Sequence, residues 1–506
     1  MKRSFVVVFV AAVALYLPTV RYGYVQDDRA IIVANPAAHS VAAAVRAFAE
    51  PYWPRESGAG LYRPITILSY AVDWSLSGGG GRAGWLHFMN ALWHGLAAVL
   101  LTAVVMRWLP AIAAVGAGLV FAWHPVHVEA VASLVGRAEL LAAVGILGAV
   151  LAARRGWWVA AVLCAALAML SKEHGVIAGV VILLDRWLQG PEARRYPLGL
   201  WIGLGAATAG FVAAWLAIGG AGASDAAAVL SGGGLALRLA MALPAILRAA
   251  VLLIWPLSLS SDYSPQVLPA RDGLSAAAVL GAILVVAIPM SVFWCRRRAP
   301  AVAFAAALAA LSYLPTANLL FASGVVLAER NLYLAIALPA ALVATGLASL
   351  QARRLAAVAL AVVALACGAR SFDRLPAWRD NRTQLLTLLT EHPESYRAHA
   401  SAAAVLAGVG DTAGARREYR TADSLFSGDS YLDAAHAIFL LGLGDTTAAA
   451  RLVARSRTKG AAERMALRAQ FLLELVRGNH AGASAVVDSA RRLYPGDETW
   501  YLKYRR

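Results

Sequence analysis

Cysteine is nearly missing from this chain. Its 506 residues hold three, Cys164, Cys295 and Cys367, each in or at the end of an apolar segment and none spaced for a short clip. That excludes a disulfide framework and a cysteine metal site, and it leaves the three as packing residues. Charge is scarce too, at 15% of residues, and acids are scarcer than bases, with 29 Asp plus Glu against 45 Lys plus Arg. Globular domains carry about a quarter charged residues, so a chain that is 60% hydrophobic and so poor in charge is an integral membrane protein. The formal charge of +16 is one that a nucleic-acid binder could share. Here, however, the bases punctuate apolar segments, at Lys2-Arg3, Arg107, Arg154-Arg155, Arg194-Arg195, Arg296-Arg297-Arg298 and Arg353-Arg354. That is how cytoplasmic loops collect positive charge, and nucleic acid is set aside. After the first apolar stretch, Tyr16-Leu17-Pro18-Thr19-Val20-Arg21 offers no small-x-small cleavage site, so the stretch reads as a retained span.

Apolar segments of about spanning length cover 4–20, 88–107, 109–123, 138–153, 157–171, 174–190, 197–219, 236–256, 273–295, 300–320, 331–350 and 354–371. The segment 236–256 carries Arg238, Arg248 and Pro244, and an arginine in mid-membrane is costly unless it pairs or snorkels. If that segment is re-entrant or interfacial, eleven crossings keep every basic loop inside and put the C-terminus outside. The segments 21–87, 124–137, 172–174, 219–235, 257–272 and 321–330 then share the outer face. The expected organisation is an all-α polytopic membrane domain over 1–372 in the inner (cytoplasmic) membrane, followed by an extracytoplasmic tail over 376–506.

That tail has a period. Gly410-Asp411-Thr412-Ala413-Gly414-Ala415 recurs as Gly444-Asp445-Thr446-Thr447-Ala448-Ala449 and as Gly478-Asn479-His480-Ala481-Gly482-Ala483, 34 residues apart each time. Thirty-four is the tetratricopeptide period, which predicts about three helix pairs stacked into an α-solenoid with a concave surface for a polypeptide.

The outer segments hold nearly all the polar residues of interest. Asp27 and Asp28 follow the first span. Arg63, in Tyr62-Arg63-Pro64, is either a phosphate clamp or an interfacial anchor beside Trp53 and Trp74. His87, Asn90 and His94 lead into the second span. The next outer segment reads His124-Pro125-Val126-His127-Val128-Glu129, then Gly136-Arg137-Ala138-Glu139. Two His with one Glu resemble part of a metal site, but no matched ligand set accompanies them, so no metal is expected. Lys172-Glu173 is either an interfacial ion pair or part of a site. Asp262 and the run Glu329-Arg330-Asn331-Leu332-Tyr333 complete the set. Such a density of charge between spans is costly, and a catalytic pocket is the simplest reason for it.

Taken in order, Tyr24-Val25-Gln26-Asp27-Asp28, Tyr62-Arg63-Pro64, His124 to Val131, Gly136-Arg137-Ala138-Glu139, Lys172-Glu173, Ser261-Asp262-Tyr263-Ser264 and Glu329-Arg330-Asn331-Leu332-Tyr333 resemble the successive motifs of the transmembrane and tetratricopeptide-repeat O-mannosyltransferases. Those belong to the lipid-donor glycosyltransferase class GT-C. The resemblance implies a GT-C-type membrane domain and transfer of a sugar from a polyprenyl-phosphate donor to a Ser or Thr hydroxyl of an exported polypeptide, with inversion and no cofactor. About three repeats, and loops rich in Ala, Gly and Arg, point to a bacterial relative using an undecaprenyl-phosphate sugar. Asp27 and Asp28 are then the catalytic pair, Asp27 as base and Asp28 orienting acceptor or sugar, with the reverse assignment open. Arg63, Arg137, Lys172 and Arg330 would neutralise the leaving phosphate. His124, His127, Glu129, Glu139, Glu173, Asp262 and Glu329 would line the sugar or support the lining. Two non-catalytic alternatives are a membrane-anchored repeat scaffold and a transporter of lipid-linked glycans. A transporter would place ionisable groups near the midplane rather than at span ends.

Overall fold

The computed structural model describes residues 2–53, 61–79, 81–191, 193–218, 230, 234–268, 275–350, 352–460, 463–494 and 498–504. The outer connector expected over 219–235 lies almost wholly outside the described residues, as does 54–60 in the first outer segment. Among the described residues there is no strand, and the chain is an all-α polytopic membrane protein.

Each apolar segment of the sequence is a helix, because a backbone in hydrocarbon must satisfy its amides within the segment. Seven helices are long and apolar enough to cross a membrane: Lys2–Arg21, Ala83–Val105, Leu134–Arg155, Leu198–Ala217, Leu235–Ile254, Ala276–Cys295 and Arg354–Trp378. Shorter apolar helices run over Ala111–Trp123, Trp158–Ser171, Pro300–Thr316 and Leu334–Ala348, and Ala178–Leu188 continues from a 3-10 turn over Glu173–Ile177. At the end of the bundle away from the outer segments, Arg154 donates to Asp185 Oδ2 at 3.0 Å and to the Val104 carbonyl at 2.8 Å, so that its charge is paired.

The helix Leu235–Ile254 is held near both ends by hydrogen bonds to other segments. Arg238 Nη2 donates to the Leu319 carbonyl at 3.4 Å near one end, and the Leu253 carbonyl lies 3.1 Å from His124 Nε2 at the other. Its length alone would permit a crossing.

The first outer segment folds on itself. Ile31, Ile32, Ala38, Ala47, Tyr52, Ile67, Tyr70 and Leu86 form a small apolar core with Leu134 of the next outer segment. The helix Pro64–Leu76, which begins with proline where a helix needs no N–H, lies within it. This helix was not among the expected apolar segments.

The tail consists of the helix Asn381–Glu391 and three helix pairs, Tyr396–Gly408 with Thr412–Leu425, Ser430–Gly442 with Thr446–Gly460, and Arg464–Val476 with His480–Leu493. The 34-residue motif is the turn inside each pair. Gly410, Gly444 and Gly478 have φ of +84°, +79° and +72°, which ends the first helix as only glycine does without strain. The next residue caps the second helix: Asp411, Asp445 and Asn479 accept the amides of Gly414, Ala448 and Gly482 at 2.8, 3.1 and 3.0 Å. Ala415, Ala449 and Ala483 are buried where the paired helices touch.

Candidate active site

The outer segments and the start of the tail enclose a cavity of about 540 Å³. Gln26 and Asp27 enter it from the first outer segment, Glu129 from the second, Ser260 to Pro265 from the fifth, and Val325 to Ala328 with Arg330 from the last. The tail closes it with Asn381, Gln384, Leu385 and Leu388 from the helix Asn381–Glu391 and with Tyr396, Arg397 and Ser401 from the next helix. Of the thirteen residues singled out in the sequence, Asp27, Glu129, Asp262 and Arg330 line this space.

Asp27 and Asp28 face opposite ways. Asp28 is fully buried and accepts the amides of Val25 and Val135, each at 2.9 Å. Burial pushes its carboxyl up to about 7, against those two hydrogen bonds and with the nearby Asp27 charge adding to the rise. Its oxygens tie the first outer segment to the second, and it does not line the cavity, whereas Asp27 does. Its neighbour Gln26 has φ +48°, a left-handed backbone that a non-glycine residue adopts at a cost of about 1 kcal/mol or more. The Gln26 amide donates to Asn381 Oδ1 at 2.7 Å, and the Gly23 amide to the Arg379 carbonyl at 2.9 Å, so the tail holds this turn.

Arg330 is half-locked. Its backbone amide donates to Glu129 Oε2 at 2.9 Å and its guanidinium pairs with Glu129 Oε1, while its side chain keeps 29% exposure into the cavity. Burial would pull the guanidinium down, but the charges of Glu129 and Asp27 carry it above its ordinary value. It stays a cation beside the candidate base.

Behind that wall lies a buried ion cluster. Lys172 Nζ pairs with Glu139 and donates to Asn331 Oδ1 at 3.1 Å. Arg63 forks onto Glu173, with Nη2 to Oε2 at 2.8 Å and Nε to both oxygens at 3.1 Å, and its guanidinium stands 5.0 Å from the Tyr52 ring centre. Burial lowers Lys172, with Glu139 opposing and the Arg63 and Arg330 charges adding to the fall. Burial would raise Glu173, yet Arg63 holds it below the usual carboxylate range. His174 Nδ1 is 3.7 Å from Glu139 Oε2, but burial takes the imidazole down to about 4, so it is neutral and the contact is not an ion pair.

Two of the expected site residues, Arg137 and Asp28, do not line this cavity. Arg137, expected on the phosphate, is fully buried: it pairs with Asp73 and donates to Asn90 Oδ1 at 2.7 Å, the Leu86 carbonyl at 2.9 Å and the Ser69 carbonyl at 3.4 Å, with the Tyr70 ring 4.7 Å away. Its donors are occupied by the protein, and it ties the second span to the helix Pro64–Leu76. A side chain at the preceding Gly136 would run into the Ala130 carbonyl, which is why glycine stands there. His127 lies against Tyr333, its Nε2 3.0 Å from the Tyr333 carbonyl, in a cluster with His94 and Phe121. His124 reaches Leu253. Glu329 accepts the Ser260 amide at 2.6 Å and the Tyr263 hydroxyl at 2.7 Å, and burial first, with the Glu129 charge adding, raises its carboxyl. Of the two roles expected for them, these two histidines and Glu329 take the supporting one, since none lines the cavity, and Asp28 pins a backbone.

The sequence reading missed the tail's share of the cavity. Asp262 Oδ2 accepts the hydroxyls of Ser264 at 2.5 Å and Ser395 at 2.6 Å, and the Ser395 oxygen also caps the helix Tyr396–Gly408. Gln266 donates to the Leu425 carbonyl at 3.0 Å. The polar run Asp380-Asn381-Arg382-Thr383-Gln384, directly after the last apolar segment, was the visible signal.

No family model and no solved structure matches the chain. Curated relatives do. The chain is 40% identical over 139 residues to the protein O-mannosyl-transferase Tmtc2 of Drosophila melanogaster, which covers 26% of this chain and 15% of that protein. It is 30% identical over 187 residues to the protein O-mannosyl-transferase TMTC3 of Homo sapiens, or 34% and 20% of the two chains. Over 349 residues it is 26% identical to the protein O-mannosyl-transferase F38B6.6 of Caenorhabditis elegans, or 66% and 49%. The chain thus spans less than half the length of each. Within those stretches it is similar in sequence to fly, human and worm proteins named protein O-mannosyl-transferase, the relationship that its motif series points to.

Proposed function

We propose that this protein is a membrane glycosyltransferase that moves a sugar from a polyprenyl-phosphate donor to a Ser or Thr hydroxyl of an exported polypeptide, on the face that carries the outer segments and the tail. The observation that supports it most is one cavity, at the ends of apolar helices, whose lining includes Asp27 and Arg330, from motifs that resemble those of the O-mannosyltransferases. Asp27 takes the proton of the acceptor hydroxyl, whose oxygen attacks the anomeric carbon while the bond from that carbon to the phosphate oxygen breaks. The lipid phosphate leaves with the bonding pair, and Arg330, with Lys172 and Arg63 behind it, offsets the charge that develops. A single displacement inverts the anomeric centre, and it calls on no metal. Eleven crossings, with Leu235–Ile254 along the interface, put the cavity where a lipid headgroup and an exported chain can both reach it. The 34-residue helix pairs fit tetratricopeptide repeats.

The test is transfer of mannose from undecaprenyl-phosphate mannose to Thr-bearing peptides by the reconstituted protein, read by mass spectrometry. Asp27→Asn abolishes it while the protein still inserts and folds. Normal transfer by that variant removes the base assignment, and a wild-type protein that moves lipid-linked sugar across the bilayer without attaching it to peptide supports the transporter reading instead.

A further inference from the structure

The helix Asn381–Glu391 is the first of the tail, yet Asn381, Gln384, Leu385 and Leu388 along it line the cavity. Gln384 is only 5% exposed, and its Nε2 has no hydrogen-bond partner among the described residues. A buried amide left unpaired destabilises the fold, because its lost contact with water is not replaced. Most buried polar groups are satisfied, so an orphan that lines a cavity points to a ligand that satisfies it.

We propose that this helix is the acceptor wall of the cavity and that Gln384 presents its side-chain amide to the backbone of an extended polypeptide acceptor. The proposal rests on the glycosyl-transfer reading and names that reaction's second subsite. The donor's lipid stays in the bilayer, so its phosphate meets the walls built at the ends of the spans, where Arg330 stands. The tail lies beyond those ends, and what meets its wall comes from the water side. An amide that both donates and accepts matches a peptide group in a single contact. Leu385 and Leu388 supply apolar surface beside it for the acceptor's side chains. The same helix holds Gln26 through Asn381, so the wall that receives the acceptor also fixes the turn that presents Asp27.

The experiment uses the full chain in liposomes with undecaprenyl-phosphate mannose and a Thr-bearing peptide, comparing wild type with Gln384→Leu. The variant raises the KM for peptide about tenfold and leaves the KM for donor unchanged. An unchanged peptide KM, or a raised donor KM, overturns the proposal. Ser401→Trp is the second variant. It sits at an exposed position on the tail's side of the cavity and fills the space without disturbing the buried amide. It raises the peptide KM more than the donor KM, and equal effects on both count against the wall's role. If wild type transfers no sugar at all, the glycosyl-transfer reading fails. The subsite is then decided by binding of the labelled peptide alone: about tenfold weaker binding to Gln384→Leu supports it, and equal binding overturns it.

Discussion

Asp28 Oδ1 accepts the Val135 amide at 2.9 Å, a bond that joins two outer segments 107 residues apart. The adjacent acids of the sequence stand in different surroundings: the Asp28 carboxylate fastens backbone, and Asp27 lines the cavity. Asp27→Asn should lose transfer with an unchanged melting temperature. Asp28→Ala leaves two buried amides unpaired and should lower stability by roughly 2–4 kcal/mol, with activity falling as a consequence. Melting and transfer assays on the two variants side by side check this, and equal stability of both would contradict the division.

The pH dependence follows from the same residue. An unfolded Asp titrates near about 4, whereas burial holds the folded Asp28 carboxyl up to about 7. The folded state therefore binds more protons between those values. The stability this group contributes is complete below about pH 4 and is lost as pH rises through 7. Wild-type protein should lose stability relative to Asp28→Asn from pH 5 to 8, with a slope of up to about one proton. A constant difference across that range would refute it.

Arg137 and Arg330 should respond in opposite ways. Arg137→Met leaves Asp73 as a buried charge without its partner, a loss of about 3–5 kcal/mol, and the protein should fail to accumulate in the membrane. Arg137→Met combined with Asp73→Leu should recover much of that loss, since a buried pair can be replaced by apolar residues at little cost. Arg330→Met should instead leave the protein in the membrane and reduce turnover by about a hundredfold or more. Membrane yield and kcat separate the two residues.

Removing the tail is predicted to stop the reaction on every acceptor, short peptides included. Residues from 381 onward line the cavity, and Asn381 holds Gln26 in its left-handed turn. Asn381→Ala is the mild form, and it should lower kcat more than it raises the donor KM. Undiminished transfer to short peptides after truncation at residue 380 would rule out a catalytic contribution from the tail.

The apolar segments were legible as helices because hydrocarbon enforces local hydrogen bonding, and the glycine turns were legible because their spacing repeats. The polar motifs were legible as a group, since charge beside spans is expensive to keep. Their division into lining and support was not. The partner of Asp28 is a backbone amide, which no side-chain pattern reveals, and the partner of Arg137 is Asp73, an acid within a stretch too short to read as a span. His124 and His127 looked like ligands, but each is engaged by a distant carbonyl, of Leu253 and of Tyr333. Gln384 lay beyond the point where the membrane part ends, so composition assigned it to a different unit.

The contact from Gln26 to Asn381 spans 355 residues. During synthesis the candidate base emerges long before its support, with the spans of the membrane part between them. Every span between them must be inserted before the two can meet. Closing a contact so distant along the chain carries a large loop-closure cost, and the cavity cannot be complete before residue 381 has been made. A chain whose spans are inserted but whose residue 381 is not yet made has no finished cavity.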